Sequence, residues 1–442
     1  MAEAFSDQRR IESETIRKVG IRLVPFLVVC YFIAYVDRVN VGFAALTMNK
    51  DLGLTATAFG TGAALFFVAY VIFEVPSNLA LERFGARRWI ARIMISWGLV
   101  GLGSAFVTGA VTFSIARFLL GAAEAGFFPG VILYLTYWFP KAYRARIVAM
   151  FMVAIPVSSF LGSPLSAALL TLDGVGGLRG WQWLLICESI PALLLGLATL
   201  VVLPSKPAEA QFLTSEQKAW LEGCLEAERR AASAGHSGHG SVWSVLTNKQ
   251  VWLLAVIYSG SSATSNALSL WMPQILKSFG LSNLETGLLN MIPFGIASVF
   301  MIFWGLRADK SGERIWSTAL PLALTSLSLA LTLLTGSLAL TLVLLSLVLL
   351  GNYSIKGPFF ALVTETLSPA QAAAGIAAIN TLAHLGTGAI TSLIGVLREQ
   401  SGSFPVALLP LCVLTAVGCA LVFWIGRDRM RASVAVAPAP AR

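Results

Sequence analysis

Two charged residues stand side by side inside an apolar stretch near the start of the chain. The segment YFIAYVDRVNVGFA (31–44) places Asp37 next to Arg38 within an apolar run from about Val19 to Met48. A charge at bilayer depth costs roughly 2.5–3.5 kcal/mol on insertion scales, so such a residue is a candidate for function. Neighbouring helical residues point about 100° apart, so the two side chains must face different surroundings. The pair indicates ion or proton chemistry in a membrane, with a structural ion pair between helices as the alternative.

A second base and acid lie in a later apolar run. Arg117 and Glu124 are seven residues apart with Gly121 between them, so all three share one face of a predicted helix. The two charged groups would lie roughly 10 Å apart along that face, so each must interact with another helix. A carboxyl group removed from water favours its neutral form, a nearby arginine opposes this, and an anion on that arginine would remove the opposition. The spacing therefore favours coupling between a proton and an anion.

Composition identifies the chain as a membrane protein. Of 442 residues, 57% are hydrophobic and 12% are charged, and the mean hydropathy is +0.78; a soluble chain carries about 25% charged residues. Apolar runs long enough to span a bilayer as helices recur from end to end. We predict twelve membrane-spanning helices, at approximately 20–46, 58–80, 89–109, 111–139, 146–170, 181–203, 250–276, 285–306, 315–334, 338–364, 372–397 and 404–425.

The net charge of +9 is explained by topology. If the N-terminus is cytoplasmic, 24 lysines and arginines lie on the cytoplasmic side and four on the other side. This asymmetry follows the positive-inside rule and predicts that both termini are cytoplasmic, so nucleic acid is not needed to explain the basicity. No cleavable signal peptide is visible. We predict a multi-pass protein of a bacterial-type inner (plasma) membrane. The five cysteines show no disulfide or metal spacing.

A short charged motif occurs twice. Glu82-Arg83-Phe-Gly85-Ala-Arg87 follows the second apolar run, and Asp309-Lys310-Ser-Gly312-Glu-Arg314 follows the eighth, 227 residues later. Such repeats are common in transporters. We predict two related six-helix halves, 1–203 and 249–426, joined by a cytoplasmic linker (204–248) and followed by a cytoplasmic tail (427–442). In the linker, Thr214 and Gln217 fit a capping box that begins a short amphipathic helix; His236 and His239 are expected to be solvated and not metal ligands.

The repeated loop resembles the cytoplasmic signature loop of the major facilitator superfamily, although Asn78 replaces the usual leading glycine and Glu82 the usual aspartate in the first copy. Longer segments are similar to the anion:cation symporter family within it, whose members transport tartrate, sugar acids, phthalate and hydroxyphenylacetate. They are FEVPSNLALERFGARRWIARI (73–93), RFLLGAAEAGFFPGVILYLTYWFP (117–140), GWQWLLICESIPALLLG (180–196), LWMPQILKSFGLSNLETGLLN (270–290) and GPFFALVTETL (357–367).

The resemblance implies a proton-coupled symporter that imports a small organic carboxylate by alternating access. Asp37 and Glu124 match the family's protonatable carboxylates, and Arg38 matches its substrate-binding arginine. Asn380 matches a substrate contact, and the family pattern also favours substrate contacts for Tyr35 and Tyr70. For Arg117 we expect pairing with Asp37.

The second half supplies further candidates for substrate binding, namely Asn266, Trp271, Lys356 and Phe360. Lys356 precedes Gly357-Pro358, a dipeptide expected to open its helix locally. It would then face Arg38 across a central cavity and favour a dianion; the alternative is that it snorkels or pairs with a carboxylate. His384 is expected to be a packing residue, and no role is assigned to Glu188.

Charged residues at the cytoplasmic ends of the helices are expected to form gating ion pairs. They are Glu74, Glu82, Arg83, Arg87, Asp309 and Arg314. For Glu74, and for Glu365 near the end of the tenth helix, the expected partners are loop arginines such as Arg83 or Arg144.

Other function classes fit less well. No H-E-x-x-H, G-x-S-x-G or Walker-type loop supports an enzyme. A proton-driven exporter of hydrophobic compounds shares the predicted fold, but Arg38 and Lys356 favour an anionic substrate. We expect no cofactor apart from protons as the coupling ion, a monomer in the lipid bilayer, and no nucleic-acid partner. The identity of the carboxylate and the proton stoichiometry are left open.

Overall fold

The protein is built from helices. A computed structural model describes residues 2–234, 247–367 and 369–436, and every long regular element in those ranges is an α-helix. The helices are α1 (Ala2–Asp51), α2 (Ala56–Phe84), α3 (Ala86–Ser104), α4 (Ala110–Glu124), α5 (Phe127–Thr136), α6 (Lys141–Leu169), α7 (Gly180–Val202), α8 (Ser215–Ala234), α9 (Lys249–Lys277), α10 (Asn283–Ser311), α11 (Ile315–Leu331), α12 (Leu338–Ser354), α13 (Lys356–Thr366), α14 (Pro369–Ser401), α15 (Phe404–Ala407) and α16 (Leu409–Val436).

The number of membrane crossings agrees with the sequence prediction. Within the described ranges, ten helical segments are long and apolar enough to cross a membrane, and two of these combine α4 with α5 and α12 with α13. Helices α3 and α9 are also 19 and 29 residues long. They carry more polar residues, such as the arginines at the start of α3 and the buried serines of α9. Together these segments give the twelve crossings of the predicted fold.

The helices form two compact units with the same packing pattern. The first unit holds residues up to Gly53 and from Leu65 through α8, and the second holds Leu54–Ala64 and the helices from α9 onward. In the first unit α1 packs against α6 and α7, and α3 packs against α4 and α7. In the second unit α9 packs against α14 and α16, and α11 packs against α12 and α16. The repeated packing matches the sequence repeat.

The glycines of the two charged loops explain why that motif recurs. Gly85 lies between α2 and α3 with φ +86°, and Gly312 ends α10 with φ +64°. A residue with a Cβ rarely adopts this left-handed conformation, whereas glycine does so readily. Each copy therefore uses its glycine to end one membrane helix and begin the next.

Helix α2 contributes to both units. Its first turns pack closely on α14 within the second unit, where a Cβ on Gly60 would lie 3.0 Å from the Thr391 carbonyl oxygen. The Thr57 amide donates to Oε2 of Glu399 at 2.8 Å, which satisfies a donor at the start of α2. From Leu65 onward the helix belongs to the first unit.

The linker helix α8 docks on the first unit at the end that holds the N-terminus. The predicted capping box is present, since Gln217 N donates to Thr214 Oγ1 at 3.3 Å and Thr214 N donates to Gln217 Oε1 at 3.2 Å. Lys18 of α1 also donates to Gln217, at 3.1 Å. Near the other end of α8, Glu228 accepts from the Lys141 amide at 2.7 Å and from Arg144 Nη2 at 2.9 Å. His236 and His239 lie outside the described residues.

Candidate functional site

Gly121 allows α4 to approach α2 closely. A Cβ at this position would collide with the backbone carbonyl of Phe66. The glycine therefore brings the face of α4 that carries Arg117 and Glu124 directly against α2, which carries Phe66 and Tyr70. Both charged side chains are buried, at 6% and 2% exposure.

Glu124 stands at a break in its helix. It is the last residue of α4, and Gly126, with φ +84°, separates α4 from α5. A Cβ on Gly126 would collide with Ser77 Oγ, so α2 also requires glycine there. Breaks inside membrane-spanning helices are typical of binding sites in transporters.

Arg38 and Glu124 form an ion pair inside the membrane-spanning part of the first unit. Arg38 Nε donates to Glu124 Oε1 at 2.6 Å, and Nη2 contacts the same oxygen. The Arg38 guanidinium carbon also lies 4.8 Å from the ring centre of Tyr35, 5.7 Å from that of Phe66 and 5.6 Å from that of Tyr70. Cation–π contacts of this kind stabilise a desolvated guanidinium. Three predicted substrate contacts, Arg38, Tyr35 and Tyr70, thus lie together.

Asp37 faces a different side of α1 and has different partners. Trp97 Nε1 donates to its Oδ2 at 2.5 Å, and Asn40 Nδ2 donates to its Oδ1 at 3.1 Å. The carboxyl group is 5% exposed. Both oxygens of Asp37 thus have a neutral donor.

The ion pair predicted between Arg117 and Asp37 is not formed. No ion pair joins these residues within the described part of the chain, because Trp97 and Asn40 occupy both Asp37 oxygens. Arg117 instead lies over the Phe66 ring, with 5.0 Å from its guanidinium carbon to the ring centre, and its Nε has no hydrogen-bond partner among the described residues. Arg117 and Asp37 still line one small cavity. Their charges therefore interact at a distance longer than that of an ion pair.

Lys356 is a buried cation in the second unit. It begins α13, where the regular helix is interrupted at Ile355, and its side chain is 8% exposed. Its Nζ lies 4.4 Å from the ring centre of Tyr353, and among the described residues no carboxylate lies within ion-pair distance of it. The alternatives that Lys356 snorkels to water or pairs with a carboxylate therefore do not hold in this structure.

The other predicted substrate contacts of the second unit differ in burial. Some are packed in the core and others are partly exposed. Trp271 is fully buried and packs against Phe59 and Phe404, with ring centres 5.2 and 6.3 Å away. Two protein rings thus pack on Trp271 in this structure, and its role as a stacking platform for substrate stays a prediction. Phe360 packs on Tyr258 at 5.2 Å and is only half-buried.

Two amide residues of the second unit are half-buried. Asn266 uses its amide to donate to the Ser262 carbonyl one turn earlier, at 2.8 Å. Asn380 and His384 lie one turn apart on α14, and both are half-buried. Their roles stay predictions.

The charged loops differ between the two copies. Arg314 pairs with Asp309 and with Glu365, each at 3.2 Å, so Glu365 does bind a loop arginine. In the described residues, Glu82, Arg83 and Arg87 form no ion pair, because Glu82 and Arg83 extend into solvent and Arg83 lies over the Phe84 ring. Arg144 pairs with Glu228 of the linker helix.

Sequence reasoning missed the residues that hold Asp37 and Glu188. Asn40 is one turn from Asp37, a spacing that could have identified it. Trp97 comes from α3, and Ser166 of α6 donates to Glu188 Oε1 at 2.7 Å; no local pattern relates either residue to its partner. The first contact joins α3 to α1 and the second joins α6 to α7, so both arise only when the helices pack.

Comparisons with known proteins agree with this description. A family model described as the Major Facilitator Superfamily matches residues 27–391. A protein of Agrobacterium vitis named "Putative tartrate transporter" is 45% identical over 96% of this chain and 93% of its own length. A "Quinolone resistance transporter" of Acinetobacter baumannii is 37% identical over 93% of this chain and 95% of its own.

A solved structure shares the fold. The crystal structure of a bacterial homologue of the human lysosomal transporter Spinster matches with a TM-score of 0.75, covering 92% of this chain and 96% of that one. The sequence identity is 13%, so the likeness concerns the fold alone.

Proposed function

Because this chain belongs to the major facilitator superfamily of membrane transporters, we propose that it is a symporter that moves a small organic carboxylate together with protons by alternating access. Its relatives are named as transporters, and this chain is likewise a transporter and not an enzyme. The proposed substrate class includes hydroxy-dicarboxylates such as tartrate, sugar acids and aromatic acids.

The observation that carries the proposal is the ion pair between Arg38, which is half-buried, and Glu124, which is buried. A guanidinium presents parallel N–H groups that match a carboxylate, so Arg38 is suited to hold a substrate carboxylate. In the present structure Glu124 occupies that guanidinium. A substrate anion and the Glu124 carboxylate therefore compete for the same donor.

Protonation of Glu124 resolves this competition. A proton on Glu124 removes its charge and weakens its hold on Arg38, so the guanidinium becomes available to the anion. Binding the anion at Arg38 then replaces the charge that the proton neutralised, which keeps the buried site close to electroneutral. Proton and anion thus favour each other's binding, and this mutual preference is a coupling free energy. Tyr35 and Tyr70 flank Arg38 and are proposed to contact the rest of the substrate.

Asp37 is proposed as a second group that changes its protonation in the transport cycle. It is buried next to Arg38 in sequence but held by the uncharged donors of Trp97 and Asn40. Arg117 lines the same cavity but forms no ion pair with Asp37 among the described residues, so no direct ion pair holds the carboxyl group in its charged form.

A proton-driven exporter is the second candidate function. The relative from Acinetobacter baumannii is named for quinolone resistance, and it covers nearly the whole chain. The half-buried Arg38 and the buried Lys356 are cations that favour an anionic substrate over a hydrophobic one, so import of a carboxylate is preferred.

The basic residues at one end of the chain's helices support a bacterial-type inner membrane with both termini in the cytoplasm. A monomer is proposed as the working unit. The transported partners are the organic anion and protons.

Uptake into proteoliposomes tests the function. Purified protein is offered tartrate, a sugar acid, phthalate and hydroxyphenylacetate, with an acidic exterior and then with equal pH on both sides. We expect at least one carboxylate to accumulate above its external concentration only under the pH gradient. If no carboxylate accumulates and a quinolone moves under the pH gradient, the result would favour the function of a proton-driven exporter instead.

A further inference from the structure

Two arginines contact a stacked pair of aromatic rings where α2 meets α3. The rings of Phe84 and Trp89 stack with their centres 5.5 Å apart and their planes 14° apart. The guanidinium carbon of Arg92 lies 4.0 Å from the Trp89 ring centre, and that of Arg83 lies 5.7 Å from the Phe84 ring centre. Trp89 Nε1 donates to Ser77 Oγ at 3.0 Å, which fixes the indole. We call these two arginines and two rings the arginine–aromatic cluster.

The positive charges of this cluster are not neutralised by the protein. Within the described part of the chain, no carboxylate forms an ion pair with Arg83 or Arg92. The neighbouring acid, Glu82, is exposed. Arg92 makes one long hydrogen bond, 3.5 Å from Nη1 to Ser96 Oγ. A guanidinium that packs on a ring still directs its N–H groups outward in its own plane, where they can bind an oxyanion.

The cluster lies where the lipid-facing surface of the helices ends. On α3, Arg88, Arg92 and Leu99 share one helical face, and Leu99 is 56% exposed. On α2, Leu79 and Phe84 are 62% and 54% exposed. Exposed apolar side chains on membrane-spanning helices face lipid tails, whereas tryptophan and arginine at the helix ends lie at the level of the lipid headgroups. The arginines are therefore positioned at the boundary between the apolar surface and the basic loop.

The second copy of the charged loop lacks this cluster. In the register that aligns the two motifs, Ser311 stands in place of Phe84 and Ala319 in place of Arg92. Arg314 of the second copy is instead paired with two carboxylates. Because the second copy ends its helix and begins the next without these side chains, the helix connection does not require the arginine–aromatic cluster. The cluster therefore indicates a role of its own.

From this arrangement we propose that the arginine–aromatic cluster binds the headgroup phosphate of an anionic phospholipid in the cytoplasmic leaflet. The guanidiniums of Arg83 and Arg92 donate to the phosphate oxygens, since a guanidinium matches phosphate with parallel N–H groups. Phe84 and Trp89 hold these guanidiniums in place and contact the apolar part of the lipid next to its headgroup. Anionic lipids of the cytoplasmic leaflet attract basic residues near the membrane surface, which adds to the affinity. This inference does not depend on the proposed proton-coupled transport.

Lipid binding to the purified full-length protein tests the proposal. Native mass spectrometry counts the lipids that stay bound when protein in detergent micelles is titrated with phosphatidylglycerol or with phosphatidylcholine. We expect the wild type to prefer phosphatidylglycerol. Arg83→Gln and Arg92→Gln should each weaken its binding by about fivefold, because each removes one charge near the surface. Phe84→Ala keeps both charges but removes a ring of the cluster, so we expect binding to weaken by about two- to fivefold.

Lys310→Gln is the matched control. It removes an exposed charge at the position of the second copy that corresponds to Arg83, and it should leave phosphatidylglycerol binding unchanged. An equal loss in Lys310→Gln and Arg92→Gln would show that the lipid responds only to the overall positive charge, which would overturn the proposal. Equal binding of both lipids by the wild type would also overturn it.

Two further measurements complete the test. The Tm of each variant shows whether it is folded, and if Arg92→Gln does not fold, Phe84→Ala decides the matter because it keeps both charges. Inorganic phosphate added in large excess should leave phosphatidylglycerol bound. Displacement of the lipid by millimolar phosphate would mean that the cluster takes a soluble phosphate, and the lipid site would be overturned.

Discussion

Arg38 Nε lies 2.6 Å from Glu124 Oε1, so the two groups expected to bind the substrate and the proton are bonded to each other. The pair forms where α4 ends at a helix break and where Gly121 lets α4 approach α2. The same guanidinium cannot hold Glu124 and a substrate carboxylate equally well. Transport of the anion is therefore expected to depend on protonation of Glu124.

Arg38→Lys should weaken substrate binding. Lysine keeps the charge but loses the parallel N–H groups that fit a carboxylate. Hydrogen bonds to charged groups contribute about 1.5–3 kcal/mol, so the KM for exchange should rise by about 10- to 100-fold. Counterflow measurements on the purified protein give this KM. Arg88→Lys, at an exposed position in the first turn of α3, is the control, and an equal effect of both replacements would argue against Arg38 as the anchor.

Lys356→Met should change which carboxylates are preferred. The lysine is buried and its Nζ meets the Tyr353 ring, with no carboxylate in ion-pair distance among the described residues, so its charge is available to an anion. Uptake of a dicarboxylate should fall more than uptake of its monocarboxylate analogue. Lys50→Met, at an exposed position, should affect neither. Equal losses for both substrates would show that Lys356 does not select between them.

The loop arginines should differ in importance between the two copies. Arg314 pairs with Asp309 and Glu365, whereas Arg83 forms no ion pair within the described residues. Exposed pairs contribute about 0.2–1 kcal/mol each, enough to shift a balanced two-state equilibrium several-fold. Arg314→Gln should thus alter the maximal rate by a few-fold with little change in KM, and Arg83→Gln should alter it less. A change confined to KM would count against a gating role.

The linker helix should loosen when its contact with α6 is removed. Glu228 accepts from both the Lys141 amide and Arg144, and Glu228→Ala removes both contacts. Because the groups are partly exposed, we expect a loss of at most about 1 kcal/mol in docking. Limited proteolysis should then cleave near α8 several-fold faster, while the control Glu222→Ala should be cleaved at the wild-type rate. Unchanged cleavage in Glu228→Ala would mean that α8 is held by other contacts.

The sequence predicted the elements of this fold better than their contacts. The twelve membrane crossings follow from the length of the apolar runs. The glycines of the two charged loops follow from the need for a residue with positive φ where a helix ends. That Asp37 and Arg38 face different surroundings follows from helical geometry alone. These features are local, so a pattern in the chain is sufficient to predict them.

The partners of the charged groups could not be predicted in this way. Asp37 was expected to pair with Arg117, but Trp97 of α3 and Asn40 of its own helix satisfy it instead. Trp271 has the residue type of a stacking platform, yet it packs between Phe59 and Phe404. The hydrogen-bond or packing partner of a buried side chain depends on how the helices pack. Residue types and their spacing in the sequence do not determine this packing.

The most direct test compares uphill uptake with exchange in Asp37→Asn and Glu124→Gln. Each replacement removes a proposed proton carrier but keeps a side chain of similar shape. Under an inward pH gradient, wild-type protein should accumulate the carboxylate above its external concentration, and neither variant should do so. Exchange of labelled for unlabelled substrate at equal pH should persist in both variants, since it needs no net proton movement. Accumulation by either variant to the wild-type level would contradict the account for that residue, and accumulation by both would contradict proton coupling through this site.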